Sequence, residues 1–196
     1  MSDQNTISVY DEQAAKYASM TESEARDKQL LDFIANVPYD GHVLDLGCGP
    51  GHCATAMAKH GLRVTAIDAS AEMVTMAAKH EGVTALQGTF DDMQDIATYA
   101  GVWANFSLLH APRADMPRHL KSIAKALLPA GRFHIGLKLG ESESRDALGR
   151  FYTYYTVEEL TDLLTNAGFT ITKTTLGRGA GLSGEVSDWI TVAAHA

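Results

Sequence analysis

Asp45 lies near the end of an apolar run, His42–Val43–Leu44–Asp45–Leu46, that opens onto glycines at 47, 49 and 51. Asp68 ends the next such run, Leu62–Ile67, 23 residues after Asp45. Glycines at alternate positions remove Cβ atoms from a strand-to-helix turn, so a ligand can lie directly on the backbone near a helix N-terminus. An acid at the end of the second strand, at this spacing, reaches a ribose hydroxyl pair. Asp45 repels phosphate and suits a ligand that brings positive charge. Together these residues can hold a nucleoside with a cationic appendage and no phosphates. The nicotinamide fingerprint G-x-G-x-x-G fits badly, because position 52 is His where the third glycine belongs. A tight connection without a ligand is the plainer alternative.

The elements that must position these residues alternate along the chain. Strands are predicted near 42–46, 62–67, 83–87, 100–106 and 131–138, and helices near 51–60, 70–79 and 114–127, with a short turn at 91–97. Met116, Leu120, Ile123 and Leu127 form an amphipathic stripe that packs on the sheet. Ahead of the first strand, Ile7–Met20 reads as a helix, and Thr21–Glu24 as a capping box opening a second one with Leu30, Ile34 and Val37 inward and Pro38 as a stop. Thr156–Glu159 is another capping box, leading to Leu160, Leu163 and Leu164 and a stop at Gly168. The tail then changes character. Phe169–Thr172 and Trp189–Val192 are β-branched runs separated by a glycine-rich loop with no helix between them, which predicts an antiparallel hairpin on an otherwise parallel α/β sheet.

The glycine turn resembles the cofactor loop of the class I S-adenosylmethionine (SAM) dependent methyltransferases, an acid followed by G-x-G-x-G. The resemblance continues in order through Ala66–Met73, Gln87–Asp92 and Ala100–His110, and covers about residues 40 to 195. Ser107–Leu108–Leu109–His110–Ala111–Pro112–Arg113 is similar to small bacterial enzymes grouped near tellurite-resistance methyltransferases. The family implies a three-layer, Rossmann-like, seven-stranded sheet with a C-terminal antiparallel hairpin. Residues 1–38 would then be an N-terminal helical lid, with Tyr10 and Tyr17 facing the site, and 39–196 the methyltransferase domain.

With SAM as cofactor, the resemblance places Gly47, Cys48 and Gly49 against it, with Tyr17 covering them. Asp45 would orient the methionine portion through its ammonium, and Asp68 would take the ribose. Ala69 and Met73 would flank the adenine with Phe90, and Asp91, or its neighbour Asp92, would meet the adenine amino group. Met73 and Phe90 serve equally as core residues, and either aspartate as a helix start. Asn105 and Phe106 end the fourth strand, where the methyl acceptor approaches. The Asn/Asp-Pro-Pro-aromatic run of enzymes that methylate nucleobases is missing there.

His110 has the pKa range of a general base, or is a histidine bonded to a loop carbonyl. Arg113 either holds an anionic acceptor or is an exposed residue of a first helical turn. Tyr152 and Tyr154 belong to an aromatic group, Phe151–Tyr155, expected near the acceptor. His42, Cys48, His52, Cys53 and His60 match no zinc spacing, so no metal is expected.

The chain has 196 residues, 45% of them apolar, enough for one α/β core. A net charge of −8 with no basic run argues against nucleic acid as substrate, so the expected partner is a small-molecule methyl acceptor. Two cysteines with neither a redox nor a zinc spacing, a polar start and no membrane-length apolar run predict a soluble cytoplasmic protein, monomer or homodimer. Two other classes remain open: a SAM-binding protein without methyl transfer, and an NAD-dependent oxidoreductase.

Overall fold

Parallel strands covered on both faces need near-continuous apolar sequence. β1 (His42–Leu46) and β4 (Tyr99–Asn105) supply it at the centre of the sheet, where all but the ends of both are buried. The computed structural model describes residues 3–196. Its main sheet has the order β3-β2-β1-β4-β5-β9-β8, with β2 Arg63–Asp68, β3 Val83–Gln87, β5 Leu127–Lys138, β8 Thr170–Ala180 and β9 Val186–His195. The first five strands run parallel, and β9 is antiparallel to both β5 and β8. The α/β sheet with its terminal hairpin is the fold expected from the sequence.

The hairpin strands are longer than their β-branched runs, and β8 takes in Gly177 and Gly179 and leaves Gly181 and Gly184 in the turn. Gly177 is required there, because a Cβ would meet the Trp189 indole at 2.1 Å.

Helices cover both faces. α3 (Lys28–Ala35) and α4 (His52–Lys59) bury Leu30, Phe33, Ala54 and Met57 against Val43, Val64 and Trp103. α6 (Met116–Ala126) and α7 (Val157–Asn166) bury Leu120, Ile123, Leu160 and Leu164 against Leu44, Val102 and Ile135 on the other face. α5 (Ala71–Ala77) follows β2, capped by the Ser70 side chain. A two-stranded antiparallel ribbon, β6 (Glu143–Arg145) with β7 (Phe151–Thr153), lies between β5 and α7 and was not anticipated.

The N-terminal region departs from its prediction. The helix expected over Ile7–Met20 is two, α1 (Gln4–Glu12) and α2 (Ala14–Thr21), and α1 starts earlier because the Asp3 carboxylate caps the Thr6 N–H. Thr21 does not form a capping box, since its hydroxyl donates back to the Tyr17 carbonyl at 2.9 Å. Asp27 caps α3 instead, accepting from the N–H groups of Gln29 and Leu30. α3 is a core helix, so a cover over the site is confined to α1 and α2. At Thr156 half of the expected box forms, the hydroxyl accepting from the Glu159 N–H, while the Glu159 carboxylate turns to Arg113 instead of the Thr156 N–H. Among the described residues no helix is long and apolar enough to cross a membrane.

Candidate functional site

The strand order reverses at β1, whose two neighbours β2 and β4 carry the chain off in opposite directions, and the crevice at their C-terminal ends is where an open α/β sheet binds ligands. A cleft with about 850 Å³ of empty space lies there. Tyr17, Gly47, Gly49, Asp68, Ala69, Met73, Phe90, Asp91, Asn105, Phe106 and His110 all line it. Asp45 and Cys48 line a smaller chamber beside it, which shares Tyr17, Gly47, Gly49 and Asn105 with the cleft.

The glycine turn is held from behind. The N–H groups of Gly47 and Cys48 both donate to the Ile67 carbonyl, at 2.7 and 3.0 Å. Gly47 has φ +78°, and a Cβ there would sit 2.2 Å from the Ser107 Cβ. Ser107 is pinned in turn, its hydroxyl donating to the Leu46 carbonyl at 2.6 Å. Asp68 braces the front, with Oδ2 accepting from the Gly49 N–H at 2.8 Å and Oδ1 from the Ser70 N–H at 2.9 Å. Burial nevertheless raises its pKa. Asp45 is only 2% exposed, and its Oδ2 has no hydrogen-bond partner. Burial, then the neighbouring Asp68 and Glu24 carboxylates, push it up to about 8. Burial also pushes the Cys48 thiol well up, and its Sγ–H donates to the Gly49 carbonyl, so it is an inert wall residue.

Of the two aspartates after β3, Asp92 is used in its own turn, accepting from the N–H and hydroxyl of Thr89 at 2.8 and 2.9 Å. Asp91 lines the cleft with its Oδ1 on Arg118 at 2.6 Å. The Asn105 Oδ1 accepts from the buried His134 Nε2 at 3.1 Å, which fixes the amide, and the His134 ring stacks on Trp103 with centroids 3.6 Å apart. Phe106 adopts φ +53°, a strained conformation for an aromatic residue, held by its N–H donating to the Gly136 carbonyl.

His110 has both ring nitrogens engaged: Nδ1 donates to the Phe151 carbonyl at 2.6 Å, so Nε2 accepts from the Tyr10 hydroxyl at 2.9 Å. Arg150 Nη1 donates to the same Tyr10 oxygen at 2.9 Å and is itself buried against Asp146. Burial pushes His110 down to about 4, below the range expected of a base working near neutrality. An NMR titration of the ring is expected to find it neutral from pH 8 to about 5, and a midpoint of 6–7 would contradict this network.

Arg113, Tyr152 and Tyr154, expected at the acceptor, do not line the cleft. Arg113 is tied to Glu159 and to the Tyr154 and Glu141 carbonyls, a clamp between α7 and the ribbon that leaves it no charge to offer an acceptor. Tyr152 is buried behind His110, ring centroids 4.6 Å apart, with Lys138 Nζ over its ring, 4.3 Å from the centroid. The Tyr154 ring packs along Tyr152 and over Gly140.

Sequence reading missed Thr6, Ile7 and His119 in the wall of the cleft, and the positioning groups His134 and Arg150 behind it. A signal existed for two of them: His119 falls in the apolar stripe of α6, and His134 interrupts a strand buried on both faces.

Fit to a ligand can be judged from the donor set. Among the described residues no lysine or arginine lines the cleft, the Gly49 N–H is taken by Asp68, and Asp45 carries an orphaned carboxylate oxygen. Such a site disfavours a pyrophosphate and suits a nucleoside with a positively charged end, which is what SAM presents.

Residues 43–131 match the methyltransferase domain family. The chain is 31% identical over 147 residues to the O-methyltransferase resE of Aspergillus sclerotiorum, covering 66% of this chain and 55% of that protein. It is 30% identical over 117 residues to the S-adenosyl-L-methionine-dependent Diels-Alderase iccD of Talaromyces variabilis, covering 55% of this chain and 39% of that one. It therefore spans about half or less of the length of these relatives. A solved neighbour is the Burkholderia thailandensis 1,6-didemethyltoxoflavin-N1-methyltransferase with bound S-adenosylhomocysteine (SAH). That structure has TM-score 0.71 and 22% identity, covering 96% of this chain and 87% of the other. At this identity it speaks for the fold, and the methyltransferase domain match spans β1 to β4 with the glycine turn.

Proposed function

We propose that this protein is a SAM-dependent methyltransferase acting on a small molecule. The observation that carries the reading is the pairing of the buried Asp45, with its orphaned Oδ2, and Asp68 around the glycine turn, in a cleft with no lysine or arginine among its described lining residues. SAM supplies a methyl group on a positively charged sulfur, already activated toward in-line attack. The chain's task is then to hold, orient and keep dry, which can remove several kcal/mol of barrier.

Asp68 receives the ribose hydroxyls, and Gly47, Cys48, Gly49 and Asp45 take the methionine end under Tyr17. Ala69, Met73 and Phe90 clasp the adenine, with Asp91 at its rim. Asn105, its amide fixed by His134, and the strained Phe106 form the boundary between cofactor and acceptor. His110 acts through Tyr10: it accepts the Tyr10 proton while Arg150 donates to the same oxygen, which fixes the Tyr10 ring on the acceptor side of the cleft. Arg113, Tyr152 and Tyr154 support the acceptor wall from behind. The finer kinship with tellurite-resistance-type enzymes rests on Ser107–Arg113 alone, and a cytoplasmic setting on the two buried free cysteines.

α1 and α2 are the cover. Tyr10 bonds His110, Asp11 accepts from the Ser70 hydroxyl at 2.6 Å, and Asp3 pairs with Arg145 of the ribbon at 2.7 Å. These are polar ties with only Thr6, Ala14 and Thr21 buried in the two helices, so they can open without disrupting the core. Hydrogen exchange over residues 8–20 is expected to slow when SAH is added. Full protection without ligand would make the segment a fixed core element.

Calorimetric titration with SAM, SAH and NAD tests the class: the first two are expected to bind and NAD to fail. Binding of NAD with indifference to SAM would favour an oxidoreductase. The Diels-Alderase relative favours one second reading, a SAM-binding protein without methyl transfer, and it predicts SAH binding with no methylated product from any acceptor in a turnover screen.

A further inference from the structure

The small chamber beneath Tyr17 carries more negative charge than the glycine turn accounts for. Its walls include Asp45 from β1 and Glu24 from the 3-10 turn that links α2 to α3, and among the described residues no lysine or arginine. The Asp45 Oδ2 is orphaned and almost fully buried, and among the described residues the Glu24 carboxylate has neither a hydrogen bond nor an ion pair. The backbone of Glu24 is spent on its turn, where the carbonyl accepts from the Asp27 N–H at 3.0 Å, so only the side chain is free to reach a ligand. Two carboxylates lining one small chamber repel each other when both are ionised, so they either keep a proton or take a cation between them.

We infer that Glu24 is a second carboxylate for the α-ammonium of the cofactor's methionine end, acting with Asp45 across this chamber. The inference rests on the SAM reading above. It gives the turn between α2 and α3 a ligand contact, and so couples closure of the N-terminal helices to the amino-acid end of the cofactor. The titratable groups facing Glu24 are Asp27 on its own turn, Tyr17 on α2, Asp45 on β1, and His52 and Cys53 on α4. Burial pushes Glu24 up to about 7 and Asp45 to about 8 in the free protein, so an ammonium arriving between them must expel protons.

The test compares SAH with 5′-methylthioadenosine, which keeps the nucleoside and the thioether but lacks the amino-acid end. E24Q is expected to lower SAH affinity about tenfold, as for one lost charge-assisted contact, and to change 5′-methylthioadenosine affinity by less than about twofold. Proton release on SAH binding at pH 7, read from the buffer dependence of the enthalpy, is expected to be smaller in E24Q than in wild type. An unchanged preference for SAH over 5′-methylthioadenosine in E24Q overturns the inference. So does an equal loss of both ligands, which would mark Glu24 as structural. A wild-type protein that binds neither compound removes the SAM reading itself, and the inference falls with it.

Discussion

Replacing Asp68 with alanine is expected to weaken SAH binding by about 10²- to 10⁴-fold while the protein still unfolds cooperatively. Each hydrogen bond from a ribose hydroxyl to a buried carboxylate is worth about 1.5–3 kcal/mol, and two are lost. A second loss adds to the first. Asp68 also accepts from the N–H groups of Gly49 and Ser70, so without it the glycine turn and the start of α5 lose their shared anchor. Asp68→Asn keeps the volume and one acceptor oxygen, and an intermediate affinity is expected for it. Titration calorimetry and a denaturation curve on the same samples decide the matter. An alanine variant with wild-type affinity and wild-type stability would take Asp68 out of the site. Lost affinity with a broadened or absent unfolding transition would assign it to folding instead.

That Asp68 was legible in sequence, and the partners of His110 were not, has a physical reason. The glycine turn and the acid that ends β2 obey local constraints: positive φ at Gly47, Gly49 and Gly51, a strand that must end, and a cap at Ser70. Each is written within a few neighbouring residues. His110 takes its character from Tyr10, 100 positions away, and from the Phe151 carbonyl, 41 positions away on a ribbon too short to announce itself by periodicity. A histidine with a wet neighbour and one with two fixed partners are spelled alike. The same holds for Arg113, whose charge is consumed by Glu159 on α7, the residue that sequence reading assigned to a capping box. The central strands β1 and β4 were read well because apolar runs and burial coincide there, and the break at Gln13 was missed because no proline or glycine marks it. Long-range polar pairing is the part of this site that spacing does not encode.

Asp45→Asn is expected to make the free protein more stable at pH 8 and yet a poorer binder of SAH. The Asp45 carboxyl is raised from 3.8 to about 8 by burial, so the folded state keeps a proton that the unfolded state has already released. Its stabilising contribution is complete below pH 3.8 and is lost as pH rises toward 8. Between pH 5 and pH 8 this one group removes about 3–4 kcal/mol from wild type, since each pH unit is worth about 1.36 kcal/mol per proton. Glu24 acts in the same direction up to about pH 7. The buried His110 and His134, lowered to about 4 and about 3, act oppositely, since the unfolded state takes up their protons as pH falls below 6.5. Comparing the variant with wild type cancels those other groups and isolates Asp45. The asparagine amide is also buried beside the orphaned position, which costs about 1–3 kcal/mol at every pH. The variant is therefore expected to be no more stable than wild type at pH 5 and to overtake it by pH 8. Urea denaturation at the two pH values measures the difference, and parallel pH slopes would show that Asp45 is already ionised in the free protein. A cationic ligand reverses the sign of the exchange: it favours the ionised carboxylate that the empty protein resists. With the cofactor ammonium proposed at Asp45, the stability sacrificed there would serve selectivity for positive charge, and asparagine is expected to recover the stability and lose the selectivity.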